Sequence, residues 1–512
     1  MRRFFAFVLC AVMLSACGAR LGHAAGGGVL NIADPVDPAS LDPLLAHDQL
    51  TIGYDLLICQ TLVGLDARNR LVPVLIARIP TRANGDISAD GTRITYHLRR
   101  GVRFADGRPL TSADVAFTYR AIMDPHNNVL SVDAYQRIAS LRTPDPYTVI
   151  IRLKGPWNAA VTRLFAQSDF AFGILPAHAF ASTQLQRATW EQHPFGSGPF
   201  RVVQWQRGDR IVFEPNPFFS PAPKLRRIVL HIIPNADSAF NALRTGDVDV
   251  APVYPNRLAQ ARELKNIALV QTPENATFWL TLQTSRPPAG DVRVRRAIAY
   301  ALDLNQIADT YQHAYPQADA FLPPVLPWHD AAVHPYPHDL QKARALLAGD
   351  SVEAVLVTAS EEQLYNRIAT VVQQQLSQAG IRVSIKQFST ALFNAPEGPI
   401  RNARFTLSID GWIGGADPEQ SVVWLCAQAN QDGSNISRYC NPRFEALFRD
   451  QERTQSIAER KRDFLAMQRL IHDDAPVIPL YYETYIDGVS MRLHGFARNM
   501  LRYPVAPEGW SM

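Results

Sequence analysis

Cysteine is scarce in this chain, with five among 512 residues. Cys10 and Cys17 lie in the opening stretch, which leaves Cys59, Cys426 and Cys440 in the body. No Cys-x-x-Cys pair occurs, so these thiols give little support to a metal centre. An excess of either charge is also missing: 51 Lys and Arg stand against 47 Asp and Glu, for a net charge of +4. Without Arg2 and Arg3 the balance falls to +2, which argues against a nucleic-acid partner. After the first residues no apolar run is long enough to span a bilayer. The catalytic signatures are absent too: no P-loop, no His-Glu-x-x-His and no Gly-x-Ser-x-Gly. The GSGPF at 196–200 lacks the glycine two positions before Ser197. The pairs Asp473-Asp474 and Glu361-Glu362 are sequence neighbours, which on a helix do not face one another, and they read as solvated. Low-complexity tracts and short repeats are lacking.

What is present suits a soluble protein of more than one domain. At 57.0 kDa the chain is too long for a single core. Met1-Arg2-Arg3 followed by apolar Phe4 to Leu14 is the pattern of an export leader, too short to cross a bilayer. Leu14-Ser15-Ala16-Cys17 has the form of a lipoprotein cleavage box, in which residues 1–16 are removed and Cys17 carries lipid. Ordinary cleavage near Ala24-Ala25 is the alternative, giving a free exported protein. Residues 17–28 read as a flexible tether under either.

The most informative stretch is Ser88 to Met123. Thr92 to Leu98 alternates, placing Ile94, Tyr96 and Leu98 on one face of a half-buried strand. Gly101 and Gly107 mark a turn-rich segment pinned by Val102 and Phe104. Thr111-Ser112 then offers a helix N-cap, with Asp114 in the first turn. The wording of DGTRITYHLRRGVRFADGRPLTSADVAFTY resembles the signature of the extracellular solute-binding proteins of the dipeptide, oligopeptide and nickel type, which serve ABC importers. GSGPFRVVQW, NALRTGDVDV, DVRVRRAIAYALD and DDAPVIPLYY resemble further segments of that family, so that the resemblance covers about 30 to 512. Ser197 and Phe200 replace the Thr and Tyr usual there.

The resemblance implies an α/β, two-lobed periplasmic-binding-protein-like fold of the large type, with an extra small subdomain. Lobe I is expected at 29–272 plus 481–512, with the subdomain at about 73–190, and lobe II at 273–480. It also implies a monomer that closes on its ligand, partnered by an inner-membrane ABC permease, with neither cofactor nor catalysis. The only membrane contact expected is the lipid anchor. Cys426 and Cys440 bound a short polar loop and look like a disulfide in an oxidising compartment; similar pairs occur in relatives. Cys59 sits in an apolar run and reads as a buried thiol.

Val352 to Phe388 reads as a βαβ unit. The loop 359–365 follows the carboxyl end of its first strand, where open α/β sheets place ligands. Tyr365 and Arg367 are therefore ligand candidates, with a solvated helix start as the alternative. LSIDGWIGGADPE at 407–419 is expected at the centre of the second lobe, with Trp412 either at the cleft or filling the core. Peptide-binding relatives carry an Asp three residues after this Trp, which pairs with the peptide's α-amino group. Here that position is Gly415, and the nearest carboxylate is Asp417, which would have to swing in. The reading that follows is a peptide or peptide-like solute whose free terminal ammonium matters little: a blocked or modified peptide, an opine or a glycoside. A metal-chelate carrier of the nickel or haem type is the alternative, with His329, His334, His338, Asp330 and Asp339 as the residues to watch. An exported hydrolase ranks below it.

Overall fold

The computed structural model of the chain describes residues 28–512, except 47, 130, 169, 186–189, 191–192 and 455. The leader, Cys17 and the tether up to residue 27 lie outside the described residues. Ile94, Tyr96 and Leu98 are buried, as their alternation requires. Their strand, Arg93–His97, belongs to a small sheet with Thr148–Leu153 in the middle and Ile138–Asp145 beyond. The helix Ser112–Met123 opens on a capping box between Thr111 and Asp114. Asp114 also accepts the backbone N–H of Ala177, so this cap ties the signature helix to the segment after it.

The main sheet has ten strands. In spatial order these are Ile381–Phe388, Val352–Ala359, Leu407–Ile413, Ile267–Leu282, Val477–Ser490, Val250–Pro252, Val29–Asp34, Arg227–Ile232, Arg210–Pro215 and Phe200–Gln206. At one end Val352–Ala359 runs parallel to Ile381–Phe388, with the helix Gln363–Gln378 between them. Toward the other end Val29–Asp34 runs parallel to Arg227–Ile232. The antiparallel pair Ile267–Leu282 and Val477–Ser490 joins the two halves, and its register slips between Pro273 and Thr277. The first of these strands begins at Ile267, well before the apolar alternation at Thr277. Residues 271–275 carry no such alternation. They are extended because the neighbouring strand pairs with them and because Glu274 and Asn275 find buried polar partners.

One core fills the first half and the small sheet, and includes Tyr96, Tyr135, Phe165, Phe200 and Phe213. A second lies under the βαβ half, around Leu280, Ile298, Ile368 and Tyr481. A third, with Trp279, Trp424, Phe444 and Phe464, covers the opposite face of the same strands. Cys59 is free and buried where the helix Gln49–Ile58 ends. The Gly-Ser-Gly turn packs on that helix end. A Cβ on Gly198 would lie 2.3 Å from the carbonyl oxygen of Leu57, and one on Gly196 the same distance from that of Ile58. Among the described residues no helix is long and apolar enough to cross a membrane.

Candidate functional site

The strand Leu407–Ile413 positions the site. It pairs with Ile267–Leu282 along its whole length. On its other side it pairs with Val352–Ala359 only at Leu407 and Ser408. From Ile409 to Ile413 the backbone on that side has no ladder partner among the described residues, and residues 410–413 are half-buried. A free strand edge of this kind is where an extended chain can add.

The strand continues through Asp410 to Ile413, and Gly411 explains part of the crowding beside it: a Cβ there would lie 2.6 Å from the ring of Phe278. Phe278 stacks on Tyr481, with centroids 5.0 Å apart, and meets Tyr365 at 6.0 Å. Tyr315 stacks on the other side of Tyr481 at 5.1 Å. Tyr365 thus joins an aromatic wall on one face of the strand. Trp412 lies on the opposite face, half-buried against the Trp279 and Trp424 core. Arg367, two residues beyond Tyr365, turns its Nε to the carbonyl of Thr310 at 3.3 Å.

Gly415 and Asp417 follow the strand. The carbonyl of Gly415 accepts from Asn275 Nδ2 at 2.6 Å, which fixes the glycine loop to the joining strand. Asp417 is 5% exposed and is held by both terminal nitrogens of Arg460, at 2.6 and 2.9 Å. A bidentate pair of this geometry leaves the carboxylate little freedom to turn elsewhere. Arg460 is itself 7% exposed and lies over the rings of Trp328 and Phe464. The sequence reading did not include Arg460, which is 43 positions from its partner and carries no motif.

Charges concentrate where the joining strands cross. Arg502 binds Glu274 at 2.7 Å and Glu483 at 3.2 Å, while Arg498 binds Asp487 at 2.9 Å. Asp34 accepts a hydrogen bond from Tyr54. Burial pushes the Glu274 carboxyl well above its ordinary value, even beside Arg502, and pushes Asp34 up to about 6. Asp410 is raised to about 6, again by burial, against the pull of hydrogen bonds from Thr281, Trp279 and Ser408. The sequence placed Asp410 on the strand but did not single it out. Its spacing of two from Trp412, which puts both on one face, was the available signal.

Cys426 and Cys440 are joined, with Cα atoms 4.7 Å apart. The histidine-rich segment makes protein contacts: His329 Nδ1 lies 2.9 Å from the carbonyl of Leu322, Asp330 binds Arg469, and Asp339 caps the helix Leu340–Leu347. Among the described residues no group of three or more His, Cys, Asp or Glu side chains is arranged to hold a metal.

Two lobes on a pair of shared strands, with an open strand edge in the second, fit a solute-binding protein. The family comparison agrees, because residues 70–434 match the model of the bacterial extracellular solute-binding proteins, family 5 Middle. The chain belongs to that family. A probable di/tripeptide-binding protein of Pseudomonas aeruginosa strain UCBPP-PA14 is 26% identical, with 94% of this chain and 95% of that protein covered. The glutathione-binding protein GsiB of Pectobacterium atrosepticum is 29% identical over 89% of each. Among solved structures, the periplasmic binding protein DppA of Helicobacter pylori, in complex with the peptide STSA, superposes with a TM-score of 0.77. It is 25% identical, with 94% of this chain and 96% of that one covered.

Proposed function

We propose that this chain is the substrate-binding component of an ABC import system, exported and anchored through lipid on Cys17, which captures a peptide or peptide-like small solute between its lobes and passes it to an inner-membrane permease. The observation that carries the reading is the open edge at Ile409 to Ile413. An extended peptide can pair with that edge through its main chain, which gives affinity for many side chains at once. The relatives named above, which are di/tripeptide-, glutathione- and peptide-binding proteins, support the same ligand class. Tyr365 and Trp412 flank the edge on opposite faces and are the side chains assigned to the ligand. Binding of this kind involves no covalent step, and the ligand acts by favouring the closed arrangement.

The two positions the motif offers supply no free carboxylate to a terminal ammonium. Gly415 has no side chain to offer, and Asp417 is committed to Arg460. Peptides with free and with acetylated amino termini therefore bind alike. Native mass spectrometry of gently purified protein identifies the class of ligand carried. Calorimetry on a peptide ligand and its N-acetyl twin tests the terminus. A loss of about thirtyfold or more on acetylation, the signature of a broken desolvated charge pair, would overturn this account of the amino end. Failure to find any peptide or peptide-like ligand would overturn the function itself.

A further inference from the structure

Beside the open strand edge lies a cavity of about 140 Å³. Whole-ligand pockets usually measure about 300–1,000 Å³, so this one suits a side chain or small head group. Three tryptophans, Trp279, Trp412 and Trp424, line it together with Thr281, Asp410 and Arg401. Asp410 Oδ1 accepts two hydrogen bonds, from Trp279 Nε1 and from Thr281 Oγ1, both at 2.8 Å. Its other oxygen, Oδ2, is buried and is met by no cationic side chain among the described residues. The hydroxyl of Ser408, two residues back on the same strand, is its neutral neighbour and also acts on the carboxylate. Arg401 does not neutralise the carboxylate through a direct contact: its NH1 donates to the carbonyl of Gly433 at 2.8 Å.

A buried carboxylate costs free energy unless a positive group meets it. Indole faces are the best aromatic surface for a cation. The cavity therefore combines a charge that lacks a counterpart with walls that tolerate one. We infer that this cavity is a side-chain subsite for a cationic group, an ammonium or a guanidinium, with Asp410 as its charge partner and the tryptophans as its walls. The inference rests on the peptide reading above. It assigns specificity to a side chain of the ligand, whereas the ligand's amino terminus stays unrecognised. Asp410 precedes Trp412 on the same face of the open strand, so a peptide paired with that edge has a side chain within reach.

The test uses tripeptides Ala-X-Ala and X-Ala-Ala, where X is lysine, arginine, norleucine or glutamate, measured by calorimetry on the mature protein. In one of the two positions, lysine or arginine should bind about tenfold or more tighter than norleucine, and glutamate weakest. Asp410→Asn should abolish that preference while leaving norleucine affinity unchanged. Trp412→Leu, which removes a wall and keeps the charge, should reduce the preference without abolishing it, and its melting temperature checks that folding is intact. Equal affinities for lysine and norleucine in both positions, or a preference that survives in Asp410→Asn, would overturn the subsite. If no tripeptide binds at all, the peptide reading fails, and a second probe still decides the subsite. That probe is n-pentylammonium titrated against n-pentanol, followed by tryptophan fluorescence. A response to the ammonium alone, lost in Asp410→Asn, supports the cation site. Equal responses to both, or none to either, count against it.

Discussion

Asp417 illustrates how one residue's role depends on a partner far along the chain. From its spacing to Trp412 it is a candidate to replace the missing carboxylate at Gly415. In the fold it faces Arg460, and both are almost wholly buried. Removing one member of a buried pair leaves the other charge uncompensated, at a cost of about 3–5 kcal/mol. Asp417→Asn should therefore lower the stability of the protein by that order in denaturant unfolding. The affinity ratio between a peptide and its N-acetyl twin should stay unchanged. Asp410 behaves differently, because burial raises its carboxyl. A carboxyl whose pKa is about 6 when folded and 3.8 when unfolded keeps its proton longer in the folded state. Its contribution is fully present below the unfolded value and is lost as pH rises through about 6. Thermal unfolding of the unliganded protein should show part of its loss of stability between pH 4 and 6, on the order of 1–3 kcal/mol. Asp410→Asn should flatten that part of the profile.

At the scale of elements, close approach explains motifs that composition leaves obscure. The Gly-Ser-Gly segment before the strand Phe200–Gln206 carries two glycines because the end of the helix Gln49–Ile58 passes directly beneath it. Gly198→Ala would press a methyl group into the Leu57 carbonyl, which is backbone and cannot rotate away. Overpacking of this kind costs about 1–3 kcal/mol or more, and the variant should show a matching fall in its unfolding midpoint. The same change at Gly246 meets nothing within 4 Å but occupies a left-handed helix end, φ 80°. Gly246→Ala should cost less, about 1 kcal/mol. The strand Ile267–Leu282 makes the complementary point. Its middle, residues 271–275, lacks an apolar alternation, yet it is extended, because pairing with Val477–Ser490 and ion pairing of Glu274 with Arg502 replace the apolar signal.

The molecule as a whole meets itself across a polar seam away from the joining strands. Arg163 binds Glu419 at 2.7 Å, Arg137 binds Glu452 at 2.7 Å, and Asn158 donates to the carbonyls of Gln451 and Thr454. These contacts link the region of the small sheet to Glu419 and to the helix Pro442–Arg453 with its C-cap Thr454. Arg163 and Glu419 are both nearly buried in this arrangement. If the lobes close by rotating about the joining strands, the seam forms only on closure and favours the liganded state. Arg163→Ala should then weaken ligand affinity by about 1–3 kcal/mol without altering side-chain preference. Small-angle scattering should show a larger radius of gyration for that variant at equal ligand concentration. An unchanged affinity would place the seam in the open state as well.

Much of the architecture was legible in the sequence because it is local. The alternation of Ile94, Tyr96 and Leu98, the cap at Thr111, and the βαβ unit from Val352 to Phe388 each depend on residues within a few turns of one another. The signature around Gly101 to Val115 named the family, and the strand leading to Trp412 was foreseen, although it runs three residues past the expected end at Asp410, to Ile413. What the sequence did not contain was the set of partners. Arg460 meets Asp417, Arg502 meets Glu274 and Glu483, and Trp279 meets Asp410 only after distant segments have been brought together. Whether a carboxylate is a ligand group, a structural anchor or an uncompensated charge depends on which groups surround it. That environment is set by tertiary packing, since solvation and Coulomb energy depend on distance in space rather than distance along the chain.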